Sequence, residues 1–465
     1  MQVPKIIQTI SEVLEKQNAK AIIVGGSVRD HFLKLPYKDI DIEVYGLDKI
    51  EELENILSKY GSVNLVGKSF GVLKFVYEKE EYDFSFPRVE YKVGEGHRGF
   101  DVKVDGLLDF ETAAKRRDFT VNALGYDVRA KKFLDPFGGL GDIKQKNLRH
   151  IDDTTFVEDP LRVYRAVQFS ARFSFSLVDK TFTLCKSMVD KGMLDELAKE
   201  RVYDEWKKLL LKSKKPSHGF ELMRELGIME YYFPELYTLI GVVQSSKWHP
   251  EGDVWIHTMM TLDEMVKLCR VDSPDPDNEK QKLKYMFAIL CHDLGKATHT
   301  LIDEEGHISS RGHDQAGLEP TKSLMGRLTE DKNFIDSILP FVKYHLHPSQ
   351  FYRNRAKSSA IRRLAIKVNI EELVVVARAD FLGRTTKEAL MRVYEAGDWL
   401  LEKSRELKVE SKPLDNLLQG RDLIELGLKP SPRFKEILNE VYAMQLDGKL
   451  TSKNVAIAFV KKSLI

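Results

Sequence analysis

The sequence is poor in cysteine, in long apolar runs and in net charge, and each scarcity removes a class of protein. Three cysteines in 465 residues, Cys185, Cys269 and Cys291, are odd in number, far apart and without CxxC spacing. They exclude a disulfide framework and a thiolate zinc site, and they fit the reducing cytoplasm. No apolar stretch approaches the roughly 20 residues a bilayer-spanning helix needs, so no membrane partner is expected. Lys+Arg (72) and Asp+Glu (71) nearly cancel to a net charge of +1. A polyanionic partner would therefore be met by local patches and not by a global field. Internal repeats and low-complexity tracts are also lacking.

What remains is 43% hydrophobic and 31% charged residues, the composition of a soluble globular protein. The length implies two to four domains. Ile6, Ile7, Ile10, Val13 and Leu14 recur at helical spacing among acids, which predicts an amphipathic helix and not a signal peptide. Strand signals crowd the first 150 residues: KAIIVGG, DIDIEVYG, SVNLVG, GVLKFVYE, YDFSF and NALGYDV. Beyond Phe156 the pattern turns helical and stays so. The expected architecture is an α/β head over residues 1–150 followed by helical domains.

The stretch AIIVGGSVRD combines a short apolar strand, a glycine turn at Gly25-Gly26 and a helix start capped by Ser27. Backbone N–H groups at such a turn suit a phosphate, and Arg29 can add a charged contact. In KDIDIEVYG, Asp39, Asp41 and Glu43 fall on one strand face, and Ile40, Ile42 and Val44 on the other. Successive carboxylates on that face stand about 6–7 Å apart. Such a pair can bridge Mg²⁺ ions, which clamp the attacking and leaving oxygens of a phosphoryl transfer. Together the two elements favour metal-dependent nucleotidyl transfer.

GGSVRD followed by DID resembles the signature of the DNA polymerase β-like nucleotidyltransferases. More narrowly, it resembles the class II tRNA CCA-adding enzymes and bacterial poly(A) polymerases. That resemblance implies an α+β fold with a mixed sheet in the head, and a helical neck and body over residues 151–240. It also implies that Asp39 and Asp41 are catalytic Mg²⁺ ligands and that Gly26 and Arg29 cradle the triphosphate. One departure is Lys34, where the family usually has glycine. KRRDFTVNAL (115–124) resembles the ribose-recognition motif, with Arg117 on the triphosphate, Asp118 on the 2′-OH and Asn122 holding the loop. EDPLRVYR (158–165) resembles the base-reading helix. There Asp159 would accept from an exocyclic amine while Arg162 donates to the adjacent ring nitrogen, which selects C and A over U and G. Their spacing of three predicts a shared helical face, and a bidentate contact of this kind discriminates by about 1–3 kcal/mol. Arg165 would reach phosphate or base, and ERVYDEW (Glu200–Trp206) would brace the neck. The implied reaction is attack of a tRNA 3′-OH on the α-phosphate of CTP or ATP with release of pyrophosphate. The segment after Gly67 lacks the arginine-rich stretch of poly(A) polymerases. The polar stretch Arg88–Gly106 reads as the flexible loop of enzymes that switch from C to A. Poly(A), CC-only and A-only addition stay open as alternatives.

A second constellation lies downstream: His257 in VWIHTMM, His292-Asp293 in FAILCHDLGK, His313 in SRGHDQAG, His345 and His347 in KYHLHP, and Asp380 in ARADFLGR. These supply nitrogen and oxygen ligands for a divalent ion, which can act on a phosphate ester. The pattern resembles the HD phosphohydrolase superfamily and implies an HD domain over residues 241–385 with a helical tail over 386–465. His257, His292, Asp293 and Asp380 are carried over as ligands of a divalent metal. His313 and His345 are carried over as groups that brace them or touch phosphate. The head-then-HD order resembles the CCA-adding branch linked to 2′,3′-cyclic phosphodiesterase, 2′-nucleotidase and phosphatase activities. An HD hydrolase with an inert, RNA-binding head stays open as a reading of another class. Basic stretches at Arg353, Arg355, Lys357, Arg362, Arg363 and Lys367, and at Lys207, Lys208, Lys212, Lys214 and Lys215, are candidates for tRNA phosphates.

Overall fold

Ile7, Ile10 and Leu14 form the buried face of helix α1 (Lys5–Glu15), as their spacing predicts. Each is fully buried, a burial worth about 1.5–3 kcal/mol per side chain. They pack on a sheet whose interior includes Ile23, Ile42, Val44, Phe75 and Phe84. The computed structural model describes residues 1–36, 40–66, 71–92, 100–271 and 279–463. The chain divides into two compact units, Met1–Tyr231 and Tyr232–Ile465. Among the described residues, no helix is long and apolar enough to cross a membrane.

The first unit is built on β1 (Lys20–Val24), β2 (Asp41–Tyr45), β3 (Ser62–Val66), β4 (Val72–Tyr77) and β5 (Glu80–Ser85). The sheet runs in the order β3-β4-β5-β2-β1, then Gly125–Asp127 and Lys132–Leu134. Its pairs are antiparallel except β2 with β5, which is parallel, so the sheet is mixed as expected. Helix α2 (Gly26–Phe32) follows β1 directly. Period-2 alternation holds along β2: Ile42 and Val44 are fully buried while Asp41 is exposed on the opposite face. Asp39 lies outside the described residues. The stretch Arg88–Gly106, read as a flexible loop, contains an antiparallel pair, Arg88–Lys92 with Phe100–Val104. Its centre, 93–99, also lies outside the described residues.

After the sheet come the helices Leu161–Phe173 and Lys199–Lys212, which pack against each other within the same unit. In the second unit the helix Glu279–Cys291 is buried on all sides from Tyr285 to Cys291, which makes it a central helix. Helices Val254–Val271, Lys332–Tyr344 and Ile370–Leu382 surround it. A smaller cluster around Leu423, Ile437, Val441 and Val460 is the core of the tail.

Candidate active sites

In the first unit a cavity of about 680 Å³ opens where β1, β2 and β5 meet the two long helices. Gly25 sits at its edge with φ of +68°, and a Cβ there would lie 2.8 Å from Nη1 of Arg117. The backbone conformation demands glycine at this position. Gly26, the residue singled out from the sequence, is the first helical residue of α2, and a Cβ there would meet ordinary contacts. The conformational constraint therefore falls on Gly25.

Asp41 and Asp83 are direct register partners on the parallel pair β2/β5, and both line the cavity. Strands so paired are about 4.7–4.9 Å apart, which gives two carboxylates suited to a hard cation. Asp83 is absent from the sequence reading. Its signal is the alternation in YDFSF, where Tyr82 and Phe84 are buried and Asp83 faces the other way. Glu43, on the same face as Asp41, is committed elsewhere. Its carboxylate pairs with Arg117 Nη2 at 2.7 Å and accepts from the Tyr45 hydroxyl at 2.6 Å.

Arg29 is nearly buried, at 5% exposure. Its guanidinium pairs with Asp30 at 2.7 Å, donates to Asn122 Oδ1 at 2.5 Å and lies 4.5 Å from the Phe173 ring centroid. Burial lowers its pKa. Asp118 is bound on all sides: Oδ1 accepts from the Phe119 N–H and from Asn122 Nδ2, and Oδ2 from Nε and Nη2 of Arg165. Burial alone would raise its pKa, but Arg165 and Asn122 more than offset that and hold the carboxyl below the usual range. Asp118 thus anchors Arg165, and its acceptor sites are already engaged where a ribose contact was expected.

Asp159 and Arg162 both line the cavity, but they do not share a helical face. The helix begins at Leu161, and Asp159 precedes it, accepting from the Leu161 N–H at 3.2 Å. The Pro160 between them starts the turn and sets Asp159 outside the helix. Arg162 is anchored through the carbonyls of Thr155 (2.8 Å) and Arg116 (2.7 Å). Arg201, in the segment read as a brace, reaches Asp159 at 3.1 Å.

In the second unit, ligand atoms of His257, His292 and Asp380 lie within 4.8 Å of one another, as do those of Asp293, His313 and His345. The structure thus brings together all four predicted ligands and adds the two histidines expected to brace them. Asp293 joins the trios: its Oδ2 is 3.2 Å from His292 Nε2 and its Oδ1 is 3.2 Å from His313 Nε2. His347 stands apart, edge-on to Tyr344. Three histidines are aimed the same way. Nδ1 of His292, His313 and His345 each donates to the carbonyl three residues back (Ile289, Ser310, Val342) at 2.6–2.7 Å. Each Nε2 is thereby turned into the cluster.

Cations flank both carboxylates. Lys296 Nζ is 2.7 Å from Asp293, and Arg384 Nη2 is 2.8 Å from Asp380. Burial would raise both carboxyls, but His292 and Lys296 hold Asp293, and Arg384 and His257 hold Asp380, well below the usual range. Burial, helped by His292 and His313, pushes His345 down to about 3. His292 Nε2 is buried without a hydrogen-bond partner among the described residues. An imidazole nitrogen with no aligned hydrogen bond, 3.2 Å from one ionised carboxylate oxygen and grouped with a second carboxylate, fits a divalent cation. A cavity of about 810 Å³ opens over the cluster, walled by Trp248, Tyr352 and Phe381.

Three family matches cover most of the chain: the Poly A polymerase head domain over residues 21–149, the "Probable RNA and SrmB- binding site of polymerase A" over 174–239, and the HD domain over 254–384. The multifunctional CCA protein of Mannheimia succiniciproducens is 35% identical over 388 residues, 81% of this chain and 87% of that relative. Its counterpart in Pseudoalteromonas atlantica is also 35% identical, over 81% and 89%. Among solved structures, the Bacillus stearothermophilus CCA-adding enzyme in complex with CTP superposes with a TM-score of 0.67 at 19% identity, over 99% of this chain and 98% of that one. The Thermotoga maritima CCA-adding enzyme complexed with tRNA gives 0.61 at 20% identity, over 100% and 97%. Those two likenesses establish the fold.

Proposed function

Because the chain belongs to the multifunctional CCA protein family, we propose that it adds C, C and A to the 3′ end of tRNA from CTP and ATP, releasing pyrophosphate. The observation that carries this reading is one cavity lined by Asp41, Asp83, Arg117, Arg165, Asp159 and Arg162. Acidic groups and an acid–guanidinium pair line the same cavity. Asp39, Asp41 and Asp83 would hold Mg²⁺, which supplies charge stabilisation for the attacking and leaving oxygens. The remaining work is done by the chain. Gly25 lets the backbone turn at the cavity edge beside Arg117. Asp118 fixes Arg165 toward the nucleotide. Asp159 keeps an acceptor and Arg162 a donor against the base edge, the pattern that C and A share.

The paired histidine trios favour a second activity in the same chain, metal-dependent hydrolysis of a phosphate ester, with tRNA ends and 2′,3′-cyclic nucleotides as the substrates to try first. The residues of the two trios would hold the divalent metal, which supplies Lewis-acid chemistry toward the ester. Lys296 and Arg384 keep the ligating carboxylates ionised.

A gel of tRNA lacking CCA, incubated with Mg²⁺ and CTP, ATP or both, tests the first reading. Three additions followed by a stop are expected; a halt at CC or a ladder of A would overturn the choice of product. Asp41→Ala and Asp83→Ala should each lower addition by about 100-fold or more, several kcal/mol in the barrier. Hydrolysis of 2′,3′-cyclic AMP by the same two variants should be unchanged, and chelation of divalent metal should abolish it. 2′,3′-Cyclic AMP left intact by the wild-type chain with Mn²⁺ or Ni²⁺ would sink the second reading.

A further inference from the structure

His257 is the exception among the clustered histidines. The other three fix Nδ1 on the carbonyl three residues back, whereas Nδ1 of His257 donates to Oε1 of Glu251 at 2.7 Å. Glu251 belongs to no motif singled out in the sequence, and its side chain is 1% exposed. Three donors converge on it. Oε1 also accepts from Nδ1 of His249 at 2.9 Å, and Oε2 accepts from the Thr385 N–H at 3.1 Å. Thr385 follows Arg384, whose guanidinium grips both oxygens of Asp380 at 2.8 and 2.9 Å. One short turn of chain therefore braces two cluster residues that sit on separate helices. With Nδ1 on Glu251, the His257 ring turns its Nε2 into the cluster, 3.1 Å from Asp380 Oδ1.

We propose that Glu251 is the positioning residue that fixes the His257 ring through Nδ1, with Nε2 presented to a divalent cation. The proposal rests on the reading that His257, His292 and Asp380 bind such an ion. A carboxylate bonded to the far nitrogen of a metal-binding imidazole fixes its orientation and raises its basicity, and losing one typically costs 10–100-fold in metal affinity. An amide cannot substitute. Both oxygens of Glu251 act as acceptors, so Gln would set an N–H against either an imidazole N–H or the Thr385 N–H.

The test is Mn²⁺ titration calorimetry on the full chain carrying Asp39→Ala, Asp41→Ala and Asp83→Ala, which removes the head's ion site. Adding Glu251→Gln should weaken Mn²⁺ binding by about 10–100-fold, and Glu251→Asp, which keeps both acceptors, should recover part of the loss. Equal Mn²⁺ affinity with and without Glu251→Gln would overturn the proposal and leave the metal reading standing. No Mn²⁺ binding by the parent chain would overturn the metal reading and the proposal with it. Long-range ¹H–¹⁵N spectra of the metal-free parent give a second readout that needs no variant to fold. A proton on His257 Nδ1 is expected, and an Nδ1 without one would overturn the proposal.

Discussion

Asp118 carries four hydrogen bonds on two oxygens, and that arrangement makes it a stability element as well as part of the wall of the first unit's cavity. Hydrogen bonds to a charged group contribute about 1.5–3 kcal/mol. Its pKa is held below the unfolded value of about 3.9, so the sign of the linkage is fixed. The contribution is fully present above about pH 4 and is lost as pH falls through the lower, folded value. Asp118→Asn keeps the size but sheds the charge opposite Arg165. The expected outcome is a loss of about 1–3 kcal/mol at pH 7 and a shallower further loss between pH 4 and pH 2. Urea unfolding at pH 7, 4 and 3 checks both; parallel pH profiles for the two proteins would remove the charge from the account.

At the scale of the element, Lys34 shows how a departure from the family pattern is absorbed. It follows α2 with φ of +56°, the left-handed conformation that glycine adopts without cost. The turn that a glycine would make is therefore kept, at an expense of about 1 kcal/mol. Lys34→Gly should raise the unfolding free energy of the first unit by about that amount and leave CTP addition unchanged; a lower melting temperature would show that the Lys34 side chain stabilises the turn. Other elements show what was legible in the sequence and what was not. Strand β2 was readable because Asp41, Ile42, Glu43 and Val44 alternate within one short stretch, and a period of two needs no partner. Asp83 was not, because the parallel pairing that sets it beside Asp41 joins segments about 40 residues apart and leaves no local trace. The Asp159/Arg162 pair is legible as a motif but its geometry is not, since Pro160 moves the helix start past the acid. Glu251 was invisible for a further reason: its role exists only once Thr385 and His249 fold against it.

For the whole molecule, near-zero net charge means that affinity for tRNA is a matter of which basic groups remain available after folding. The run from Arg353 to Lys367 looked uniform in sequence, but the fold divides it. Arg362 donates to the carbonyl of Leu446 and Arg363 pairs with Asp447 at 2.8 Å, so these two staple the tail to the helix Ser358–Ala365. Arg353 and Arg355 instead stack on Trp248 and Tyr352, at 6.0 and 4.7 Å from the ring centroids, with no carboxylate partner among the described residues. Cation and aromatic face together suit the phosphate and base of an unpaired strand. Each phosphate contact contributes about 0.7–0.9 to the slope of log K against log salt. Replacing Arg353 and Arg355 by Gln should therefore reduce that slope for tRNA by about 1.4–1.8 while leaving the melting temperature nearly unchanged. Replacing Arg362 and Arg363 should do the reverse, lowering the melting temperature with little effect on the slope. Fluorescence anisotropy of labelled tRNA between 50 and 300 mM salt separates the two pairs. A slope that falls equally for both would mean that the staple arginines also meet RNA, and that the division of the basic run drawn from their partners is wrong.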